Sequence, residues 1–205
     1  MSKKLSLYLL LALAGFNTIP CQGMEVPSNR IDKIKVLTAI ASFLPILYAN
    51  VISATTVHEL GHAAMAKALC NMPSTIKIEL DPRRWLTGHL GVTRFQQRTE
   101  GWRGALVYAV GPLSGLIACY LFYKIVKFLI SHVQNPSIKN GLIGALNNSS
   151  FINATHEIGN FSLLASEKSD GVQMSKKLKI HFPYNLIWEV AVKLAQFCVP
   201  GYINS

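Results

Sequence analysis

The sequence predicts an all-α membrane protein, a bundle of about three to five transmembrane helices with a small β-hairpin-like insert at the membrane surface. Half of the 205 residues are hydrophobic and only 15% are charged, whereas soluble domains carry about 25% charged residues. Residues 36–57 and 104–123 contain no charge, and each stretch reaches the roughly 20 residues that a helix needs to cross a bilayer. This composition excludes intrinsic disorder, which requires low hydrophobicity and dense charge.

The N-terminus carries a further uncharged stretch, residues 5–24, directly after Lys3 and Lys4. A short basic start followed by an apolar run is typical of a signal peptide or a signal anchor. We therefore assign residues 1–24 to such a segment. Residues 25–205 are expected to form a single membrane-embedded domain, because about 200 residues rarely accommodate more than one.

Two later segments are less apolar. Residues 140–155 are uncharged but rich in asparagine, so in a membrane their amides would have to face other helices. Residues 186–199 place Glu189, Lys193 and Gln196 at helical spacing on one stripe. This pattern predicts an interfacial or docked amphipathic helix.

A period-two pattern predicts a β-hairpin between the two apolar stretches. Polar and apolar side chains alternate along residues 75–80, and Asp81 and Pro82 end the pattern. Such alternation is typical of a half-buried strand. Residues 90–95 form a second candidate strand, so the two would pair as a small insert.

The net charge of +10 is compatible with nucleic acid, with an anionic membrane surface or with the inner loops of a membrane protein. The basic residues lie between apolar stretches, and no nucleic-acid-binding motif is present, so we predict a lipid bilayer and no nucleic acid as partner. If every apolar segment crosses, the N-terminus and residues 67–103 and 168–179 lie on one side, which carries 13 of the 20 Lys and Arg residues. The positive-inside rule assigns that side to the cytoplasm.

A His-Glu-Leu-Gly-His stretch at residues 58–62 predicts a metal site at the end of the first apolar segment. Residues four apart share a helix face, so His58 and His62 could bind one metal ion while Glu59 reaches an adjacent water. Zinc commonly takes three protein ligands and a water, and a nearby glutamate then acts as general base. Ionisable residues inside a membrane helix are costly and usually functional.

The third ligand must come from elsewhere in the chain, which has only 10 acidic residues. We favour Asp170, which follows the fourth apolar segment, because counting crossings places it on the same side of the membrane as His58. Glu157 and His89 remain alternatives. The four cysteines form no C-x-x-C pair, so a thiolate zinc site is not indicated.

These residues resemble the site-2 protease family of intramembrane zinc metalloproteases. The likeness rests on the stretch at residues 58–62, on Gly-Pro-Leu at residues 111–113 and on Asp-Gly at residues 170–171. It covers roughly residues 36–175, most of the chain.

The resemblance implies that His58, His62 and Asp170 bind zinc and that Glu59 is the general base. The family usually has an Asn and a Pro leading to its Asp-Gly pair. In this chain Asn160 stands ten residues before Asp170 and no proline lies between them. The local path of the chain toward the third ligand is therefore expected to differ from the family's.

The expected function is a zinc-dependent endopeptidase that hydrolyses peptide bonds of membrane-protein substrates within or near the bilayer, through zinc-activated water. A substrate helix would have to unwind before cleavage, and residues 75–80 could bind the unwound strand by β-augmentation. Two alternatives remain. One is a secreted soluble zincin with Glu157 as third ligand, and the other is an inactive membrane scaffold that retains a metal site.

Overall fold

The computed structural model describes residues 32–81, 90–96, 100–164, 167, 169–180 and 184–203. These residues form five helices and two strands: α1 (Lys33–Cys70), β1 (Ser74–Ile78), β2 (Gly91–Phe95), α2 (Gly101–Ser131), α3 (Pro136–Gly159), α4 (Asp170–Leu178) and α5 (Tyr184–Ile203). The proposed signal segment, residues 1–24, and the alternative ligand His89 lie outside the described residues.

Helix α1 is the longest element and contains the first predicted span. The side chain of Asp32 accepts a hydrogen bond from the Lys35 N–H at 3.1 Å and so caps its first turn. Large side chains such as Leu37 and Leu44 are about two-thirds exposed, at 66% and 68%. Only 11% of the most apolar 18-residue window of α1 is buried. The described part of the protein therefore leaves an apolar helix surface uncovered, as expected of a helix in lipid.

Helix α2 contains the second predicted span, residues 104–123. Arg103 lies over the Trp102 ring near its start, and Lys127 lies over the Tyr123 ring near its end. Aromatic and basic side chains commonly anchor both ends of a membrane helix in the headgroup region. Among the described residues, α1 and α2 are the two helices long and apolar enough to cross a membrane.

Helix α3 packs against both α1 and α2, and the amide of Asn153 points inward, whereas Asn140 is exposed. The Asn153 Nδ2 group donates to Oδ1 of Asn50 at 3.1 Å and contacts the Cys119 sulfur at 3.3 Å. The side chain of Asn50 reaches Ser149 at 3.5 Å. All four residues are buried, so polar contacts join the three helices inside an otherwise apolar bundle.

Helix α5 is docked through the predicted polar stripe. Glu189 accepts hydrogen bonds from the Ser162 hydroxyl at 2.8 Å and from the Leu163 N–H at 3.0 Å. The Gln196 amide donates to the Thr155 carbonyl at 3.1 Å. The stripe therefore faces the end of α3 and the residues that follow it, which confirms the docked amphipathic helix.

The predicted hairpin is also present. Strands β1 and β2 pair antiparallel, with Ser74 opposite Phe95 and Ile78 opposite Gly91. Both strands contact α1. The hairpin therefore lies against the half of α1 that carries the predicted metal ligands.

Candidate metal centre

The two predicted histidine ligands lie on one face of α1 in the interior of the protein. His58 and His62 are 7% and 5% exposed, and their Nε2 atoms are 3.1 Å apart. This follows from the helix itself, since residues four apart lie one turn above each other.

Asp170 completes a group of three potential ligands. It is the first residue of α4, and its Oδ2 and Oδ1 atoms lie 3.0 Å from Nε2 of His58 and 3.2 Å from Nε2 of His62. Ligand atoms around a tetrahedral zinc ion with bonds of about 2.0–2.1 Å stand roughly 3.3 Å apart. Within the described residues this is the one group of three such side chains able to hold a metal ion. Two imidazoles and a carboxylate in this spacing fit zinc.

The Asp-Gly dipeptide brings the carboxylate to this position. The Gly171 N–H donates to the Asn160 carbonyl at 2.7 Å, which joins the start of α4 to the end of α3. A Cβ atom on Gly171 would overlap the Phe161 carbonyl group. The glycine therefore permits the backbone contact that sets Asp170 beside the histidines. Asn160, whose role the sequence left open, contributes its main chain here.

The Gly-Pro-Leu motif of α2 borders the same site. A Cβ atom on Gly111 would overlap the His62 imidazole, so only glycine lets α2 approach this closely. The Nδ1–H of His62 donates to the Val107 carbonyl at 2.6 Å. Helix α2 therefore both makes space for His62 and orients its ring.

The side chain of Glu59 is buried on the side of the site that faces the hairpin. The Thr93 hydroxyl donates to Glu59 Oε2 at 2.6 Å. A Cβ atom on Gly91 would lie 2.8 Å from Glu59 Oε1, so the start of β2 passes directly over the carboxylate. The hairpin therefore covers the predicted general base.

Residues 34–124 match the family model described as peptidase M50B-like. The matched segment, less than half of the 205 residues, is similar to this peptidase family. This is the site-2 protease family, so the resemblance inferred from the sequence is confirmed. Comparison with curated proteins and with solved structures gives no significant match. The family match supports a hydrolase acting on peptide bonds and, together with the two apolar helices, a membrane protein.

The matched segment spans the histidine pair and Glu59 but ends before Asp170. The assignment of Asp170 therefore depends on the geometry described above. Asp170 would bind a cation in its carboxylate form.

Glu157, the alternative third ligand, lies on the opposite edge of the His58 ring. Its Oε2 atom is 2.7 Å from Nδ1 of His58, whereas Asp170 faces Nε2. The structure therefore brings Glu157 to the site but not into the group of ligand atoms.

Two contacts of the site are not predicted by the sequence: that of Thr93 with Glu59 and that of Glu157 with Nδ1 of His58. Thr93 lies within the predicted second strand, but alternation alone does not tell which helix residue a strand side chain will meet. The sequence offers Glu157 only as an alternative third ligand and does not predict its contact with Nδ1 of His58.

Proposed function

We propose that this protein is a zinc-dependent endopeptidase that cleaves membrane-protein substrates within or near the bilayer. The observation that carries the proposal is the convergence of two imidazole Nε2 atoms and one carboxylate, 3.0–3.2 Å apart, in the interior beside an apolar helix. The match of residues 34–124 to a peptidase family model supports peptide-bond hydrolysis as the reaction.

His58, His62 and Asp170 would hold the zinc ion. When bound, zinc acts as a Lewis acid that polarises a carbonyl group and lowers the pKa of a coordinated water to about 7. The chain's own residues then hold the reactants and move the proton.

Glu59 is the proton carrier of the proposed reaction. Its carboxylate accepts the proton of the attacking water and later donates it to the nitrogen of the departing amine. Glu59 is adjacent to His58 in α1, and the Thr93 hydroxyl fixes its Oε2 atom. The burial of Glu59, at 6% exposed, limits competing hydrogen bonds from bulk water.

The substrate is a transmembrane helix that unwinds into a strand at the hairpin. The Glu79 N–H donates to the Leu90 carbonyl at 2.9 Å, and hydrogen-bonded pairs alternate along an antiparallel ladder. With the observed register, the N–H groups of Ile76 and Ile78 therefore point away from β2. They form an outer edge that an extended peptide could bind by β-augmentation.

In the proposed topology α1 and α2 cross the membrane together with one to three further segments, and the active site faces the cytoplasm. Seven basic residues follow the ligand-bearing end of α1, between Lys67 and Arg103. The positive-inside rule supports a cytoplasmic location for that end.

The test of the proposed function compares the wild type with Glu59→Gln and His58→Ala, each purified in detergent. Zinc content is measured together with cleavage of a single-span membrane substrate. We expect wild type to hold one zinc and to cleave, Glu59→Gln to keep zinc and lose cleavage, and His58→Ala to lose both. Zinc without cleavage in the wild type would favour an inactive scaffold, and unchanged cleavage by Glu59→Gln would refute the mechanism.

A further inference from the structure

Glu157 is a carboxylate buried where three helices meet. It is 2% exposed and projects from α3 toward α1 and α2. A Cβ atom on Gly115 would lie 2.5 Å from its carboxylate, so the glycine of α2 provides the space that the group occupies. Burying a carboxylate in this environment is unfavourable unless a partner compensates.

The nearer of its two polar partners among the described residues is the His58 imidazole; the Asn160 amide donates to the same Oε2 atom at 3.5 Å. A carboxylate only accepts hydrogen bonds, so the 2.7 Å contact of Glu157 Oε2 with Nδ1 of His58 requires the proton on Nδ1. The lone pair of a neutral ring is then on Nε2, the atom that faces His62 and Asp170. The contact thus selects the tautomer and the ring orientation that suit metal binding.

His62 is oriented in a parallel way by a different group. Its Nδ1–H donates to the Val107 main-chain carbonyl at 2.6 Å. Both histidines are therefore anchored through Nδ1, one by the backbone of α2 and the other by a side chain of α3. The anchor of His58 is the Glu157 side chain, which a substitution can remove. The anchor of His62 is a main-chain carbonyl, which a substitution leaves in place.

We propose that Glu157 is a positioning residue of the metal centre. It holds the His58 ring with Nε2 directed at the ion, so this side chain of α3 raises the affinity of the site for the metal. The inference rests on the proposed function, since it requires that His58 bind a metal. Carboxylates that hydrogen-bond to a ligating histidine typically change metal affinity by about 10- to 100-fold.

The chain offers a matched control for this proposal. Asn153 lies one turn before Glu157 on α3, is also 2% exposed and also hydrogen-bonds to α1, at Asn50. Its loss removes a buried contact between α1 and α3 but leaves His58 untouched. Asn153→Ala therefore reports the effect of loosened helix packing alone.

The experiment measures the zinc dissociation constant of the full chain in detergent by competition with a chelator. Glu157→Ala should weaken zinc binding by about 10- to 100-fold. Glu157→Gln, whose amide oxygen can still accept the Nδ1–H, should weaken it less, and Asn153→Ala should leave it within about twofold. Equal affinity of the wild type and Glu157→Ala, or an equal loss in Asn153→Ala, would overturn the inference.

The same measurement separates this inference from the proposed function. If the wild type binds zinc and both Glu157 variants bind it with the same affinity, only the role of Glu157 is refuted. Wild type that binds no zinc refutes both.

Discussion

At the scale of single residues, the site consists of side chains whose orientation is set by a second hydrogen bond. His62 is held by the Val107 carbonyl, and Glu59 is held by the Thr93 hydroxyl. Asp170 instead depends on the adjacent Gly171, which contacts the end of α3. The reactive groups are therefore fixed by residues of α2, of the hairpin and of α3.

The contact of Thr93 with Glu59 leads to a prediction. Thr93→Val keeps the shape and the strand preference of the side chain but removes the hydroxyl. We expect cleavage to fall about tenfold, because a hydrogen bond to a charged group contributes about 1.5 kcal/mol or more. Zinc content should not change. Thr93→Ser should restore most of the activity, and equal rates for the Val and Ser variants would contradict the role.

At the scale of elements, the glycines of α2 explain how three helices can meet at one site. Gly111 faces His62 and Gly115 faces Glu157, and the two glycines lie one helical turn apart. One face of α2 therefore receives a side chain from α1 and another from α3. Glycine is useful here because it lacks a side chain, which outweighs its unfavourable helix propensity.

The outer edge of β1 leads to the second prediction. Ile78→Pro removes an N–H group that points away from β2, so the hairpin can stay paired. We expect cleavage of a single-span substrate to fall by a factor of about 5 to 10, the equivalent of one backbone hydrogen bond. Zinc content should stay at the wild-type value.

Ile78→Val provides the control for this edge, since it keeps the N–H group with a similar side chain. It should cleave at close to the wild-type rate. If Ile78→Pro and Ile78→Val were equally active, substrate binding by β-augmentation would be excluded.

At the scale of the whole molecule, the apolar surface of α1 opposes the soluble alternative. Side chains such as Leu37, Ile40 and Leu44 are more than 60% exposed, and a soluble protein rarely leaves such a surface in water. We therefore predict that the chain remains in the membrane fraction after extraction with alkaline carbonate. Release into the supernatant would instead support a soluble zincin.

Much of this arrangement could be predicted from the sequence, because the patterns concerned are local. Helical spacing fixes His58 and His62 on one face, and alternation locates both strands. Asp170 could be predicted as the third ligand because counting the membrane crossings assigns each loop to one side of the membrane. The role of Glu157 could not be assigned, since sequence spacing does not tell which ring nitrogen of His58 a distant carboxylate will meet. Likewise, the Gly-Pro-Leu motif contributes to the family resemblance, but the sequence does not tell which side chain packs against it.

The histidines and the carboxylate of the ligand group come from distant parts of the chain. His58 and Asp170 are separated by 112 positions, so an ion bound to both would act on the unfolded chain as a cross-link does. Closing a loop of about 100 residues in this way removes unfolded-state entropy equivalent to about 4.7 kcal/mol in the chain-entropy treatment of disulfides. Loading with metal would then join the start of α4 to α1 and create the proposed reactive centre in a single event.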